Sequence, residues 1–583
     1  PGASLEALRS DLAVVATRMR EQYPAESERG TATVVPLREA MVGDSRAALI
    51  AVMGAAALVL VITCINIAGL FLARASARRR ELAVRGALGA GRSRLVQQLL
   101  TESAVYGLAG GVLGIGLAYT AEGVLAKVAA SSLPNLGPIR IDAGVLAFAV
   151  IVSLVCGFAF GLMPALAATR VDLKESLSES SRGASQSGLR ARGTQTLVVA
   201  QIALAIMLMV GAGLLVRSFA SLTRTNLGFS TGKDVLTFRV NLLQRVPPAE
   251  RNVLFASILE RVRGLPSVKQ AGLAEIGPWN GPNGTTLRRE GVTDPDASLP
   301  MVLRATATED FFSAVGMQLR RGRAFNAGDR FGAPGVVIVS EGLAREIFGT
   351  VNPIGQRLKL NASGLAPDSA APWREVVGVV GDVRGNVQSE PTPTVYVSDW
   401  QEPGGGADFV VRTTGEALVI VPGLRRILHD LAPTLPLINP RTLNDVLSGF
   451  ITQQRLAMAL MGAFATLALL LAALGVYAVM AYAVTARTRE FGIRSALGAR
   501  REMLLLMVVR QGMRTALIGT AIGIVFALMG SKVLTRLLSG VSPRDGLTFV
   551  SAAGVLLVVT FVACLIPARV ATRVQPVEAL RAE

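Results

Sequence analysis

An uncharged run of 27 mainly apolar residues, Ala47–Ala73, constrains this chain more than any other feature. A helix of about 20 such residues crosses the hydrocarbon core of a bilayer, so the run predicts a transmembrane helix. Six comparable runs follow along the chain, at Leu99–Tyr119, Val145–Ala168, Leu197–Val216, Leu456–Val484, Leu504–Met529 and Leu547–Ile566. The sequence therefore predicts an integral membrane protein with about seven spans.

The composition agrees with this class of protein. The chain is 51% hydrophobic and only 17% charged, whereas soluble domains carry roughly 25% charged residues. Its net charge of +18 does not indicate a nucleic-acid partner, because the basic residues lie at the ends of the apolar runs. Three cysteines inside apolar runs predict no disulfide framework, and a single histidine predicts no histidine-based metal site. We expect neither a metal nor a cofactor in this chain.

The distribution of arginine and lysine predicts the orientation of the spans. Basic residues concentrate in alternate connections, at 74–94, 170–192, 487–501 and 569–581. Because short cytoplasmic loops carry an excess of Lys and Arg, these four segments are predicted to face the cytoplasm. Residues 1–46 and 217–455 are then predicted to lie on the outer side.

The long polar region 217–455 has the pattern of a soluble α+β module. Asp234–Asn241 alternates apolar and polar residues as a strand does, and Val336–Ser340 and Val376–Val383 are β-branched runs typical of buried strands. Pro247–Gly264 has a proline near its start and a glycine at its end, which indicates a helix. This region is predicted to fold outside the membrane.

Residues 1–46 resemble the end of a second such module. They contain a predicted helix near Ser4–Tyr23 and a predicted strand at Thr31–Val35. The chain is thus expected to start inside a first module whose leading transmembrane helix is missing.

Internal repetition sets the expected architecture. Arg80–Ala90 reads RELAVRGALGA and Arg489–Ala499 reads REFGIRSALGA, while Pro164–Leu177 and Pro567–Leu580 share the pattern P-A-x-x-A-T-R-V. The two landmarks recur in the same order and at nearly the same separation, which indicates a duplicated membrane unit. A duplication of this kind lets one polypeptide do what a two-fold dimer does.

The fold class that follows is a multi-domain membrane protein, with an α-helical transmembrane bundle and an α+β outer module. The predicted domains are 1–46, the C-terminal end of the first outer module; 47–180, the first transmembrane domain; 181–196, a cytoplasmic linker; 197–216, the leading helix of the second unit; 217–455, the outer module; and 456–583, the second transmembrane domain.

Two cytoplasmic segments and one outer segment resemble a known family. NIAGLFLARASARRRELAVRGALGA (Asn66–Ala90) and GVYAVMAYAVTARTREFGIRSALGA (Gly475–Ala499) resemble the signature of FtsX-like permeases of the MacB type. The duplication is most similar to the acidobacterial duplicated permeases of that group. The outer stretch Thr308–Leu358 is similar to the MacB-like periplasmic core domain.

The resemblance implies a role for each repeated cytoplasmic segment, as a coupling helix on which an ATP-binding-cassette (ABC) ATPase docks in trans. The residues that it assigns are Arg80, Glu81, Arg85, Leu88 and Gly89 in the first copy and Arg489, Glu490, Arg494, Leu497 and Gly498 in the second. The alternative is a positive-inside segment that only fixes topology. That alternative explains the arginines but not the repeated glutamate or the repeated Ala-Leu-Gly-Ala.

The resemblance also implies a permease subunit in a bacterial inner membrane, which transmits ATP-driven motion to its periplasmic module for export or extrusion. A macrolide, a peptide or a lipoprotein would suit such families as substrate. The implied partners are the ATPase, the lipid bilayer and a periplasmic or outer-membrane component. The alternative function is a membrane scaffold or signalling protein whose outer module binds a partner without transport.

The sequence predicts no enzymatic activity. A phosphate-binding loop needs G-x-x-x-x-G-K-[ST], and the most similar string, GFSTGKD at Gly228–Asp234, has the wrong spacing and lies in the outer module. No nucleophile is paired with a base. Hydrolysis of ATP is therefore expected from the partner.

Small and polar residues inside the spans complete the candidate sites. Glycines at helical spacing predict close helix packing, at Gly107, Gly110, Gly111 and Gly114 in the first unit and at Gly519 and Gly523 in the second. Four polar residues lie in or near spans, at Asn66, Glu102, Glu122 and Gln201. They do not form the charged midplane group typical of an ion-coupled carrier.

Overall fold

The computed structural model describes residues 4–22, 34–37, 39, 46–77, 92–132, 141–155, 185–224, 226–242, 246–275, 284–291, 301–360, 372–384, 390–486, 488–497, 499–538 and 540–571. The chain forms two compact units. One contains residues 1–43 and 222–451, and the other contains residues 44–221 and 452–583. The first is the soluble unit, and the second is the membrane unit.

The helices of the described part are α1 (Leu5–Gln22), α2 (Arg46–Ala77), α3 (Arg92–Ser132), α4 (Ala143–Val155), α5 (Ser185–Arg224), α6 (Pro248–Arg263), α7 (Phe311–Val315), α8 (Glu341–Phe348), α9 (Val421–Leu431), α10 (Leu443–Ala486), α11 (Thr488–Ala496), α12 (Arg501–Leu534) and α13 (Gly546–Ala571). Six of them, α2, α3, α5, α10, α12 and α13, are long and apolar enough to cross a membrane. They confirm six of the seven predicted spans.

The remaining predicted span, Val145–Ala168, begins as helix α4, and its residues after Val155 lie outside the described part. Helix α5 is longer than the predicted Leu197–Val216 at both ends, so the segment predicted as a linker at 181–196 is helical from Ser185 onward. The apolar run gives only the part of α5 that suits a bilayer core. The polar residues on either side of the run continue the same helix, so the run underestimates the length of α5.

Helix α5 lies inside the membrane unit, and α3 lies at its surface. Of the apolar window of α5, 61% is buried, whereas none of the Ala104–Gly123 window of α3 is buried. The buried side chains of α5 include Ile202, Ile206 and Leu214. They pack with α2, α10, α12 and α13 in one apolar cluster. The second permease copy is therefore assembled around its leading helix.

The soluble unit contains two sheets. Its strands are β1 (Val235–Asn241), β2 (Val268–Ala274), β3 (Gly284–Arg289), β4 (Met301–Ala307), β5 (Leu319–Gly322), β6 (Val336–Ser340), β7 (Arg357–Leu360), β8 (Trp373–Val380), β9 (Thr394–Ser398), β10 (Gly406–Thr413) and β11 (Ile438–Thr442). The four-stranded antiparallel sheet has the order β11-β1-β10-β2. The seven-stranded sheet has the order β5-β8-β6-β9-β4-β3-β7, and β7 also pairs with β8.

Helices α6 and α9 cover the four-stranded sheet with an aromatic core. Phe238 of β1 stacks on Phe409 of β10 with ring centroids 5.1 Å apart, and Phe255 of α6 meets Phe409 edge-on at 5.5 Å. Aromatic pairs at these distances add stability beyond the area that they bury. The core holds α6 on the sheet and so positions the buried charge of α6 described below.

The elements predicted for the outer module are confirmed, although the strand predicted at Val376–Val383 is shifted to Trp373–Val380, and one element predicted within residues 1–46 is wrong. Helix α6 matches the predicted Pro247–Gly264, and β6 matches its predicted bounds. The strand predicted at Thr31–Val35 is absent at Val34 and Val35, and its first three residues lie outside the described part. Arg9 of α1 donates to the carbonyl oxygen of Val34 at 3.4 Å, and Pro36 has no N–H for a ladder. Both features favour a loop.

Candidate functional site

The second repeated cytoplasmic segment forms helix α11, between α10 and α12. Nine residues are too few for a stable isolated helix, so α11 depends on tertiary contacts. Phe491 supplies one, since it is only 3% exposed and belongs to the apolar core of the membrane unit. The amide of Ala499 donates to the carbonyl of Arg494 at 2.9 Å and closes the C-terminal turn. The segment is thus anchored by one aromatic side chain.

A charged pair lies beside this anchor on α11. Arg494 NH2 lies 2.6 Å from Glu490 Oε1, and both side chains are about half exposed. A glutamate four residues before an arginine is the favourable order for a helix. Arg494 NH1 also approaches Met507 Sδ of α12 at 3.1 Å. A positive-inside signal requires no glutamate at this position. Glu490 instead holds the Arg494 side chain against α11.

Two apolar side chains of this segment remain exposed. Ile493 is 44% exposed and Leu497 is 82% exposed. Arg489 lies in α11, while its side chain, Gly498 and the whole first copy with Arg80, Glu81, Arg85, Leu88 and Gly89 lie outside the described part. The second copy therefore presents a buried anchor, a paired charge and a protruding leucine within one short segment.

The glycines of the second repeat, Gly519 and Gly523 of α12, lie against a neighbouring helix. A Cβ atom at Gly519 would lie 2.8 Å from Ile202 Cβ and 3.0 Å from the carbonyl oxygen of Val199, both in α5. A Cβ atom at Gly523 would lie 2.7 Å from the carbonyl oxygen of Ala203. Helices α12 and α5 approach this closely because glycine has no side chain.

The glycines of the first repeat, which belong to α3, lie in a different environment. A Cβ atom at Gly110 or Gly114 would meet nothing within 4 Å, and one at Gly111 would lie 3.7 Å from Ser153 Oγ of α4. Gly107 is half-buried in the same helix. Within the described part, the structure brings Gly519 and Gly523 against a helix and leaves Gly110 and Gly114 open.

A buried ion pair joins the two sheets of the soluble unit. Arg251 of α6 pairs with Asp399, which follows β9, and their side chains are 1% and 0% exposed. Thr306 Oγ1 donates to Asp399 Oδ1 at 2.7 Å, and Arg251 lies over the Phe255 ring at 4.2 Å. No local pattern indicates this pair, because its partners are 148 residues apart.

Glu275 lies at the edge of this charged cluster. Burial raises the pKa of the Glu275 carboxyl, and the nearby carboxylate of Asp399 raises it further, against the opposing effect of Arg304. Arg304 NH1 lies 3.9 Å from Glu275 Oε2, and Arg304 also pairs with Glu402. The cluster holds one carboxylate that is less easily ionised than in water.

Glu275→Gln is expected to make the stability of the soluble unit less sensitive to pH. The folded-state pKa of Glu275 is raised, so the unfolded chain ionises first as pH rises. Stability from this group is complete below the ordinary glutamate pKa and is lost as pH rises through the folded-state value. The variant should therefore gain unfolding free energy relative to the parent toward neutral pH. Urea titrations at several pH values measure this, and a difference independent of pH would contradict it.

Family models match most of the chain. The FtsX-like permease C-terminal model matches twice, at residues 53–173 and 462–576. The MacB-like periplasmic core domain model matches residues 196–421. The double match coincides with the two repeated membrane regions and the single match with most of the soluble unit.

Three curated relatives each match just under half of the chain. The chain is 29% identical over 290 residues to the macrolide export ATP-binding/permease protein MacB of Agrobacterium fabrum, covering 46% of this chain and 42% of that protein. It is 24% identical over 288 residues to the uncharacterized ABC transporter permease YknZ of Bacillus subtilis, covering 47% and 68%. It is 28% identical over 281 residues to the pyoverdine export protein PvdT of Pseudomonas syringae pv. tomato, covering 45% and 40%. The match spans less than half of each of the two export proteins.

Two solved outer domains align with just over a third of the chain. The periplasmic region of MacB from Actinobacillus actinomycetemcomitans aligns with 37% of this chain and 93% of its own, at 15% identity and a TM-score of 0.25. The extracellular domain of YknZ from Gram-positive bacteria aligns with 35% and 100%, at 16% identity and a TM-score of 0.23. On the two family models and the named relatives, the chain belongs to the FtsX-like permeases of the MacB type, multi-pass inner membrane proteins with a MacB-like periplasmic core domain.

Proposed function

We propose that this chain is the permease subunit of a bacterial ABC exporter, in which a partner ATPase drives conformational change in the periplasmic module. The observation that carries the proposal is the geometry of the second coupling segment. Phe491 fixes α11 in the membrane unit, while Leu497 protrudes beside the paired Glu490 and Arg494. Ile493 is exposed in the same segment, and adjacent exposed apolar side chains rimmed by charge are typical of a protein contact.

The helix that precedes this segment supports transmission of motion. Helix α10 is continuous over 44 residues, about 66 Å at the usual rise per residue. Its first turn is closed by a capping box, in which the Asp445 amide donates to Thr442 Oγ1 and the Thr442 amide donates to Asp445 Oδ2, both at 3.1 Å. Thr442 is the last residue of β11. Helix α10 thus connects β11 to the coupling segment in sequence, which is the connection that transmission requires.

Residues 1–583 contain no phosphate-binding loop, and the proposal assigns ATP hydrolysis to a partner that docks on the coupling segments. The names of two relatives include both ATP binding and export, of a macrolide and of pyoverdine. Export is therefore the proposed direction, with the chemical class of the substrate open among macrolides, peptides and lipoproteins. A periplasmic or outer-membrane component is the proposed second partner.

A photo-crosslinking residue at position 497 tests the proposal in the full chain in its native membrane. We expect crosslinking to a protein that binds a nucleotide analogue, whereas the same residue at Leu517, exposed in the middle of α12, should give no such product. Leu497→Asp should reduce permease-stimulated ATP turnover about tenfold, because it places a charge in a contact that excludes water. Crosslinking only to a protein that binds no nucleotide, or to a sensor kinase, would favour the scaffold alternative. A crosslink to a periplasmic enzyme would place position 497 on the outer side and refute the topology.

A further inference from the structure

Two side-chain amides from different helices donate to one backbone carbonyl inside the membrane unit. Asn66 Nδ2 of α2 lies 3.0 Å from the carbonyl oxygen of Leu471 in α10, and Gln201 Nε2 of α5 lies 2.5 Å from the same oxygen. Gln201 is 1% exposed. A buried amide in hydrocarbon has no water to bind, so its choice of partner is strongly constrained. Three helices therefore meet at one oxygen atom.

Gly475 makes room for both amides. A Cβ atom there would lie 2.5 Å from Asn66 Oδ1 and 2.8 Å from Gln201 Nε2, closer than any side-chain carbon tolerates. Gly462 lies in the same helix, and a Cβ atom there would meet nothing within 4 Å. Alanine at position 475 would therefore displace both amides, whereas alanine at position 462 would displace nothing.

Asn66 and Gly475 occupy the same position of the internal repeat. Each is the first residue of the matching 25-residue segments Asn66–Ala90 and Gly475–Ala499. Equivalent positions of two related halves contact each other only where their pseudo-two-fold axis passes. In a homodimer both positions would carry the same residue, so an asparagine could not lie against a glycine as it does here. A duplicated chain can place asparagine in one half and glycine in the other.

We propose that Asn66, Gln201 and the Leu471 carbonyl form an amide junction that fixes the register of the two permease halves and ties α5 to them. A single buried polar residue sets register in other helix assemblies for the same reason, since any shifted register leaves it unpaired. Helix α2 leads toward the first coupling segment and α10 leads into the second. The junction itself does not depend on the proposed function. Only its consequence rests on that function, namely that a displacement of either coupling segment reaches both permease halves.

Spin labels on the two helices test the junction in the full chain, reconstituted in lipid nanodiscs with the native cysteines replaced. The labels replace Leu70 of α2 and Tyr482 of α10, both of which are exposed. We expect one narrow distance distribution in the parent. Gly475→Ala should widen it about twofold by displacing both amides, and the matched Gly462→Ala should leave it unchanged. Equal distributions in the two variants would overturn the proposal.

A mutant cycle tests whether the contact is direct. In an Asn66→Ala/Gln201→Ala background the amides are gone, so adding Gly475→Ala should widen the distribution no further. An equal extra widening in that background would show that the amides are not what Gly475 accommodates. Asn66→Leu/Gln201→Leu, which adds no crowding at Gly475, provides the same readout if Gly475→Ala does not fold. It should widen the distribution relative to the parent, and an unchanged width would overturn the proposal.

These measurements contain no ATPase, so their outcome is independent of the proposed function. A wide distribution in Gly475→Ala together with no ATPase partner would leave the junction standing and remove only its role in coupling. If a variant with a wide distance distribution still couples normally to the ATPase, the amide junction has no part in the transmission of motion.

Discussion

Gly523→Leu is expected to destabilise the membrane unit by about 3 kcal/mol, since overpacking a tight contact costs about 1–3 kcal/mol and more where backbone is involved. A Cβ atom there would lie 2.7 Å from the carbonyl oxygen of Ala203 and 2.9 Å from both Ala203 Cα and Ile206 Cβ. Two of these three atoms belong to the backbone of α5 and cannot rotate away. Leucine would therefore separate α12 from the helix around which the unit is built.

Gly114→Leu is the matched control, because Gly114 occupies the position of the first repeat that Gly523 occupies in the second. A Cβ atom at Gly114 would meet nothing within 4 Å. Leucine also favours a helix over glycine by about 1 kcal/mol, so this variant should be as stable as the parent or slightly more stable. The fraction of the full chain that stays monodisperse in detergent after heating measures both. Equal losses in the two variants would contradict the packing argument.

Asp399→Ala is expected to destabilise the soluble unit by about 3–5 kcal/mol, the usual cost of removing one partner from a buried ion pair. Arg251 is 1% exposed and already has two guanidinium nitrogens, Nε and NH2, without a hydrogen-bond partner. Without Asp399 it would keep an uncompensated charge between the two sheets. Removing both charges, with Arg251→Met and Asp399→Leu, should recover much of the lost stability.

The chain contains its own reporter for this unit. All three tryptophans lie between residues 217 and 455, so tryptophan fluorescence in urea follows the soluble unit within the full chain. Asp430→Ala is the control, since Asp430 lies 4.0 Å from Arg261 and both side chains are more than half exposed. An exposed pair of this kind contributes about 0–1 kcal/mol. Asp399→Ala unfolding at the same urea concentration as Asp430→Ala would refute the prediction.

The sequence predicted which residues form the candidate coupling segment, but not which of them are buried against a neighbour. The repeated Arg-Glu pattern and Ala-Leu-Gly-Ala identify the segment, and periodicity places Phe491, Ile493 and Leu497 on α11 or just beyond its end. Only the packing shows that Phe491 is buried while Leu497 is exposed. A nine-residue helix has no preferred face until a neighbouring helix supplies one.

Sequence alone determined the membrane class, six of the spans, the duplication, the family and the α+β nature of the module. Each of these depends on the length of an apolar run, on a local period or on a repeated string, all of which lie within short stretches of chain. Tertiary structure decided which copy of a repeated glycine is packed, that Arg251 meets Asp399, and that Asn66 reaches Leu471. Those outcomes depend on residues up to 405 positions apart, and identical local sequence acquires a different environment when a different helix lies beside it.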